Sequence, residues 1–209
     1  MLIITVPHAA VKEPMERDEL GQPTDEQIHH TDWLAEPAAN MLHAKVRNSV
    51  LLIGDVNRVD IDLNRRESRK TAFRKNLERV IKQQTTPPLV LDIHSANGNF
   101  FGTAELTLIQ PHAEAWPDYI IKGVATGKAG WRRSKYVENY ADNFIDFMNK
   151  NGVRTNIYHT WPPTADLIFQ SRSMGAASLL IEFNEEIIRT EQRLSEVTDT
   201  IASWVNTFE

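Results

Sequence analysis

The sequence contains no cysteine, which excludes disulfide bonds, thiolate metal sites and cysteine nucleophiles. It also lacks an apolar run of the roughly 18 residues that a membrane-spanning helix needs, and its N-terminus has no signal-peptide pattern. There is no excess of basic residues, since 23 lysines and arginines stand against 28 aspartates and glutamates. A general nucleic-acid-binding domain would be clearly basic. We therefore expect a soluble, cytoplasmic protein that binds neither nucleic acid nor membranes.

The composition is otherwise that of an ordinary globular protein. Of 209 residues, 41% are hydrophobic and 24% are charged, which is enough apolar material for one large domain with a core. We found no internal repeat, low-complexity tract or linker. The sequence therefore predicts a single domain over residues 1–209.

Short apolar β runs alternate along the chain with helical patterns. This alternation predicts an α/β fold, with a mostly parallel or mixed central sheet and helices on both faces. A polar loop at 9–30 is long enough to indicate a functional role. The predicted strands are 2–6, 50–53, 89–93, 106–109, 153–158 and 178–183. The first predicted helix begins at 31 or 32 and ends near 46, and three further helices are predicted at 66–84, 137–150 and 185–207.

Polar side chains occur where three of the predicted strands end. The first strand is followed by His8, the run from 89 ends with Asp92 and His94, and the last strand ends with Glu182. Open α/β sheets bind ligands at the carboxyl ends of their strands. The sequence therefore predicts one polar site at one edge of the sheet.

The two histidines at strand ends indicate a metal site. Catalytic zinc is usually held by three protein ligands from histidine and carboxylate side chains, with one position open. Asp32 is the preferred third ligand over Glu13, because a carboxylate at a helix N-terminus is oriented by the helix dipole and free amides. The simpler interpretation is a pair of hydrogen-bonded histidines and a helix-capping acid. Further alternative ligands in the same loop are His29 and His30.

Asp92 lies two residues before His94, so in a strand the two side chains share a face. The carboxylate then either orients the imidazole from behind or accepts hydrogen bonds from loop amides. The sequence leaves these two possibilities open.

The segment 57–66 is rich in arginine, asparagine and aspartate. Arginine grips carboxylates with a planar, two-pronged donor, so this segment fits recognition of an anionic small molecule. The alternative is a set of surface ion pairs, because acids and bases alternate here. Basic residues further on are predicted to form a solvated helix face: Arg69, Lys70, Arg74, Lys75, Arg79 and Lys82.

Glu182 follows three apolar residues at the end of a predicted central strand. Burying a glutamate is costly, and burial raises the pKa of a carboxyl group toward neutral pH, which suits a general base that activates water. The alternative is an exposed side chain, or one paired with Arg172 or Arg189.

The ordered set of these motifs resembles the N-formylglutamate amidohydrolase family, within the wider zinc-carboxypeptidase and aspartoacylase-like group. The resemblance covers residues 6 to about 184, and its most specific parts are the Asp-Leu-Asn-Arg and Asp-Ile-His-Ser elements. The motifs are Val6-Pro7-His8-Ala9-Ala10, Thr31-Asp32, Arg58 with Asp62-Leu63-Asn64-Arg65, Asp92-Ile93-His94-Ser95 and Ile181-Glu182-Phe183-Asn184.

The resemblance implies a phosphorylase/hydrolase-like fold with one catalytic zinc ion per chain. It implies hydrolysis of the amide bond of an N-acyl (formyl-like) amino acid or a related small anionic amide. The implied roles are metal ligation by His8, Asp32 (or Glu13) and His94, binding of the substrate carboxylate by Arg58, Asn64 and Arg65, and general-base catalysis by Glu182.

Two departures from the family pattern keep other functions open. Ala9-Ala10 stands where the family tends to have a Ser-Gly pair, and the Gly-rich segment before the last strand is not recognisable. One alternative is a metallo-carboxypeptidase or a cell-wall amidase that uses the same site. The other is a non-catalytic ligand-binding homologue.

Overall fold

A six-stranded mixed sheet forms the centre of the computed structural model, which describes residues 1–10, 31–98, 101–111, 135–160 and 165–208. The strands are β1 (Leu2–Val6), β2 (Ser49–Ile53), β3 (Leu89–Ala96), β4 (Leu106–Pro111), β5 (Thr155–Thr160) and β6 (Ala177–Asn184). The helices are α1 (Ala35–Lys45), α2 (Ala72–Lys82), α3 (Lys135–Lys150), α4 (Asp166–Ser173) and α5 (Glu191–Asn206), and a 3₁₀ helix covers Arg66–Lys70.

The strand order is β2-β1-β3-β6-β4-β5. Strands β2, β1, β3 and β6 are parallel, whereas β4 runs antiparallel to β6 and β5 runs parallel to β4. The chain moves outward from β1 to β2 and then returns past β1 to β3, so the direction of winding changes between β1 and β3. Crevices at such switch points are the usual ligand sites of open α/β sheets.

Each face of the sheet is covered by its own set of helices. Helices α1, α3 and α5 enclose one core, which includes Leu91, Ile181 and Trp204. Helix α2 and Leu167 of α4 enclose the other, which includes Val90 and Leu77. Because the central strands are buried on both faces, they are apolar at nearly every position, as expected for parallel strands. The predicted α/β class with a mixed sheet and helices on both faces is therefore confirmed.

The main differences from the predicted elements arise where polar side chains have distant partners. Helix α1 begins at Ala35 with no side-chain cap, because Asp32 contacts histidines instead. The basic segment after residue 65 divides into two helices, and Thr71 caps the second by accepting from the backbone of Arg74. Residues 57–65 form turns, and α5 begins at Glu191 rather than at 185.

The predicted solvated face of α2 is wrong at Arg74. This side chain is completely buried and donates to Asp166, Gln170 and the carbonyl oxygen of Leu63. Its acid partner begins α4, a short helix that the sequence analysis did not predict. Among the described residues, no helix has both the length and the apolar character needed to cross a bilayer.

Candidate metal centre

Two histidines and an aspartate from three separate segments meet beside the switch point. His8 follows β1 and His94 lies near the end of β3, which pairs directly with β1. Asp32 precedes α1, and its backbone N–H donates to the carbonyl oxygen of His8 at 3.1 Å. The three side chains are nearly inaccessible to solvent, with 2%, 3% and 6% exposure for His8, His94 and Asp32. The fold thus brings together the three residues predicted as metal ligands.

One oxygen of Asp32 lies between the two imidazole rings. Its Oδ2 is 3.3 Å from Nδ1 of His8 and 2.8 Å from Nδ1 of His94. The ring centroids are 4.9 Å apart, and one potential ligand atom from each of the three residues lies within 4.8 Å of the others. This compact arrangement has the size of a first coordination sphere.

The outer nitrogen of each imidazole faces a further carboxylate. Nε2 of His8 lies 2.9 Å from Oδ1 of Asp62, and Nε2 of His94 lies 3.1 Å from Oδ2 of Asp92. Such acids fix the ring orientation and the tautomer of histidines that bind metals. The contact between Asp92 and His94 resolves the two possibilities left open by the sequence, because the carboxylate does lie behind the imidazole.

This donor set fits a divalent metal ion such as zinc. When Nε2–H donates to the outer acid, the lone pair of each Nδ1 points toward Asp32, which supplies the third ligand atom. Without a metal, the raised pKa of His94 keeps a proton between its Nδ1 and Oδ2 of Asp32, and a bound metal ion would take the place of that proton. Two imidazoles and a carboxylate are common zinc ligands, and they leave room for a fourth ligand.

The pKa values reflect the close packing of charges. Burial by itself would raise the pKa of Asp32, but hydrogen bonds from His8 and His94 outweigh it and lower the pKa well below its usual range. Burial opposes protonation of His94, yet Asp92 and Asp32 raise its pKa well above the ordinary value. Asp32 is therefore ionised, and its negative charge stabilises positive charge at this point.

Asn64 lies behind His94 rather than facing a substrate. Its Oδ1 accepts from the backbone N–H of Leu167 at 3.1 Å, and its Nδ2 lies 3.4 Å from Asp92 Oδ2 and 3.2 Å from His94 Nε2. The side chain is buried. This geometry does not support the predicted contact of Asn64 with the substrate carboxylate, because its amide is committed to holding Asp92 and α4.

Arg58 and Arg65 both contact Asp62, the acid behind His8. Nε of Arg58 lies 3.4 Å and Nε of Arg65 lies 2.9 Å from Oδ2 of Asp62, and the two side chains are 33% and 36% exposed. Burial would raise the pKa of Asp62, but His8 and Arg58 lower it well below its usual range. The arginine segment is thus joined to the metal group through one carboxylate.

Glu182 lies opposite His94 on the neighbouring strand. The two residues are register partners of β3 and β6, so their side chains leave the same face of the sheet. Burial, helped by the negative charge of Asp32, raises the pKa of Glu182 to about 7 against the opposing effects of His94, His8 and Arg58. A carboxyl group with this pKa exchanges a proton readily near neutral pH.

Sequence reasoning missed the residues that hold this group from outside. Asp62 was noted only as part of the arginine-rich segment and of the Asp-Leu-Asn-Arg element, with no role of its own. Thr5 donates to Oδ1 of Asp92 at 2.7 Å, which its alternating position in β1 could have indicated. Glu185 was not singled out, although it accepts from Ser95 Oγ at 2.6 Å and from the backbone N–H of Trp33 at 3.1 Å. No short-range pattern marks such a contact between residues far apart in the chain.

A cavity of about 280 Å³ opens on the α1 side of Asp32. The alternative ligands Glu13, His29 and His30 lie outside the described residues. The cavity is lined by Ala9, Thr31, Asp32, Trp33, Glu36, Pro37 and Asn40.

No protein-family model matches the chain, and no curated protein matches it. Solved structures do match over its whole length. A gene product from Agrobacterium tumefaciens has a TM-score of 0.70 at 14% identity, covering 100% of this chain and 90% of that chain.

N-formylglutamate amidohydrolase from Ralstonia eutropha JMP134 has a TM-score of 0.57 at 14% identity, covering 100% of this chain and 94% of that chain. An N-acetylmuramyl-L-alanine amidase from Mycobacterium smegmatis has a TM-score of 0.54 at 9% identity, covering 100% and 96% of the two chains. At these identities the likeness establishes the fold. The structural resemblance to N-formylglutamate amidohydrolase that the sequence predicted is confirmed at that level.

Proposed function

We propose that this chain is a zinc-dependent hydrolase that cleaves the amide bond of an N-acyl amino acid or a related small anionic amide. The observation that carries the proposal is the convergence of His8, Asp32 and His94 on one point, with acids behind both imidazoles and Glu182 on the adjacent strand. The fold shared with the amidases named above supports amide hydrolysis as the reaction class.

Each residue of the group has a distinct role in this proposal. His8, Asp32 and His94 would hold the zinc ion, which when bound polarises a carbonyl group and lowers the pKa of water. Glu182 accepts a proton from the attacking water molecule and then donates it to the leaving amine. Its pKa of about 7 suits both transfers, because neither the acid nor the base form is strongly disfavoured near neutral pH.

Arg58 and Arg65 are proposed to bind the carboxylate of the substrate. Arg58 contacts Asp62 through Nε, and in the part of the chain that the structure describes its two Nη groups have no hydrogen-bond partner. A guanidinium group held at one nitrogen presents the others in a fixed fork, which favours a carboxylate ligand. This contact would fix the amide relative to the metal, and such orientation contributes much of the rate in well-placed reactions.

Metal analysis and a substrate panel test the proposal together. The purified protein should contain or take up about one zinc ion per chain, and it should hydrolyse formyl- or acyl-amino acids with a free carboxylate. Arg58→Ala should raise KM for anionic substrates by about tenfold or more, while Arg79→Ala, which removes an exposed arginine that donates to Asn76, should not. A protein that binds no divalent metal would contradict the proposal.

A second candidate is a cell-wall amidase or a carboxypeptidase that uses the same residues. The likeness to the mycobacterial amidase, with a TM-score of 0.54, is close to the 0.57 found for the formylglutamate enzyme. The panel should therefore include muramyl peptides and peptides with a free carboxyl end. Turnover of these without turnover of acyl-amino acids would favour the second candidate.

A further inference from the structure

A pair of polar side chains links the backbone that follows Asp32 to the strands that carry His94 and Glu182. Oε1 of Glu185 accepts from Ser95 Oγ at 2.6 Å and from the backbone N–H of Trp33 at 3.1 Å. The same Ser95 Oγ accepts from the backbone N–H of Leu34 at 2.9 Å. Two consecutive amides after Asp32 are thus held by two side chains from other elements.

These bonds complete the fixation of the segment around Asp32. Its own N–H donates to His8, and its carbonyl oxygen accepts from the N–H of Ala35 at the start of α1. Helix α1 has no side-chain cap of its own, and the backbone amides of Trp33 and Leu34, which precede the helix, are held by Glu185 and Ser95. A carboxylate at this position also favours the positive end of the helix dipole.

The anchoring residues are themselves fixed to the metal group. Ser95 directly follows His94, and Glu185 follows β6 and donates from its backbone N–H to the carbonyl oxygen of Ala96 at 3.2 Å. These hydrogen bonds therefore fix the distance between the loop that carries Asp32 and the strand that carries His94. A small displacement of either would move the oxygen of Asp32 away from the two imidazoles.

We propose that Glu185 and Ser95 are positioning residues that set Asp32 at ligand distance from the two histidines and so determine the metal affinity of the site. This inference rests on the proposed metal site, and it does not depend on which substrate is turned over. Neither residue contacts the reacting atoms in this arrangement, because both act through the backbone of the 32–34 segment.

The test measures metal affinity directly in the metal-free protein. Zinc dissociation constants would be obtained by competition with a chromogenic chelator, and Co²⁺ absorption would report the coordination geometry. Glu185→Ala should weaken zinc binding by about 10- to 100-fold and change the Co²⁺ spectrum, the scale seen when outer partners of metal ligands are lost. Ser95→Ala should act in the same direction.

Conservative variants and a neighbouring acid serve as controls. Glu185→Gln keeps an acceptor oxygen, so it should bind zinc more tightly than Glu185→Ala, and Ser95→Thr keeps the hydroxyl group and should rescue affinity in part. Glu186→Ala removes the next, exposed acid and should leave the zinc dissociation constant within about twofold of the wild type. If Glu185→Ala does not fold, Ser95→Ala and Glu185→Gln carry the test.

The outcomes separate this inference from the proposed function. A purely structural role would lower the melting temperature of the metal-free variants but leave the Co²⁺ spectrum and zinc affinity of the folded protein unchanged, and that result would overturn the inference alone. A wild-type protein that binds no divalent metal would overturn both. Tight zinc binding in the wild type with weakened binding in Glu185→Ala supports the inference even if no tested amide is hydrolysed.

Discussion

Asp166→Asn is expected to destabilise the protein strongly and to loosen the metal centre. Asp166 is fully buried at the first residue of α4 and accepts from two arginines. Arg69 donates to it from Nε and Nη2 at 2.7 and 2.6 Å, and Arg74 donates from Nη2 at 2.7 Å. Arg74 has no solvent exposure, so removal of the acid leaves its charge buried without the carboxylate that it contacts.

The magnitude follows from this burial. Burial already lowers the pKa of Arg74, and Asp166 opposes that effect, which shows that the pair compensates a large desolvation cost. Breaking a buried ion pair by removal of one partner costs about 3–5 kcal/mol. For a domain of this size, about 2–4 °C is lost per kcal/mol, so the melting temperature should fall by roughly 6–20 °C.

Urea and thermal unfolding would measure the effect. The control is Asp199→Asn, which breaks the ion pair between Lys45 and an aspartate that is 62% exposed. Because surface pairs contribute about 0–1 kcal/mol, this variant should unfold almost as the wild type does. An Asp166→Asn protein within about 1 kcal/mol of the wild type would refute the reasoning. Its metal affinity should also fall, because the backbone of residues 166 and 167 holds Asn64 through two hydrogen bonds.

Three further predictions concern the site itself. Glu182→Gln should lower kcat by about 10²–10⁴ without loss of zinc, and equal activity in the variant would contradict the proposed role. In the wild type, kcat/KM should fall about tenfold per pH unit below a pKa near 7, because only the ionised carboxylate of Glu182 accepts a proton. Metal content and the dependence of the rate on pH measure these two effects. Zinc binding to the metal-free protein at pH 7 should release about one proton or more, because the raised pKa of His94 keeps its Nδ1 protonated until the metal replaces the proton. Calorimetry in buffers of different ionisation enthalpy measures this proton release, and a binding enthalpy that does not depend on the buffer would contradict the prediction. Gly54→Ala should lower the free energy of unfolding by about 1–3 kcal/mol and weaken zinc binding, because a Cβ there would lie 2.4 Å from the carbonyl oxygen of Pro7, next to His8. Chemical unfolding and a zinc titration measure the two effects. Wild-type values for both would contradict the prediction, because they would mean that the backbone near Pro7 moves away from the new methyl group without a measurable cost.

The strands and the ends they present could be predicted because their signals are local. An apolar run such as 89–93 indicates a buried strand wherever it pairs, and the alternation of side chains then places Asp92 and His94 on one face. The sequence could not reveal that β4 and β5 run antiparallel to the others. The direction of β4 and β5 depends on how the intervening chain connects them to the other strands, and not on the composition of either strand.

Helix α4 escaped prediction because its polar residues are buried. Asp166, Gln170 and Arg172 would be exposed in a typical surface helix, but here tertiary partners satisfy them, and burial lowers the pKa of Arg172 to about 9. An amphipathic pattern therefore does not appear. For the same reason the environment of Arg74 was misjudged and the contacts of Asn64 with Asp92 and Leu167 were not predicted: the sequence shows a polar residue, and only the fold shows its buried partners.

The charge balance of the site provides the strongest physical argument for a cation. Asp32 and Asp92 are buried, and Asp62 is largely so, around two imidazoles that are themselves nearly inaccessible. Ionised carboxylates are costly to bury unless positive charge or hydrogen bonds compensate them. Without a metal, a proton on His94 supplies part of that charge, and the two nitrogens of this ring then face Asp32 and Asp92. A divalent cation supplies the same charge at the point where both Nδ1 atoms and Asp32 converge, and it leaves each outer N–H bonded to its carboxylate. An ordinary pair of hydrogen-bonded histidines would not need three acids, and a helix-capping aspartate would accept from amides of the first turn of α1, whereas the carboxylate of Asp32 contacts His8 and His94.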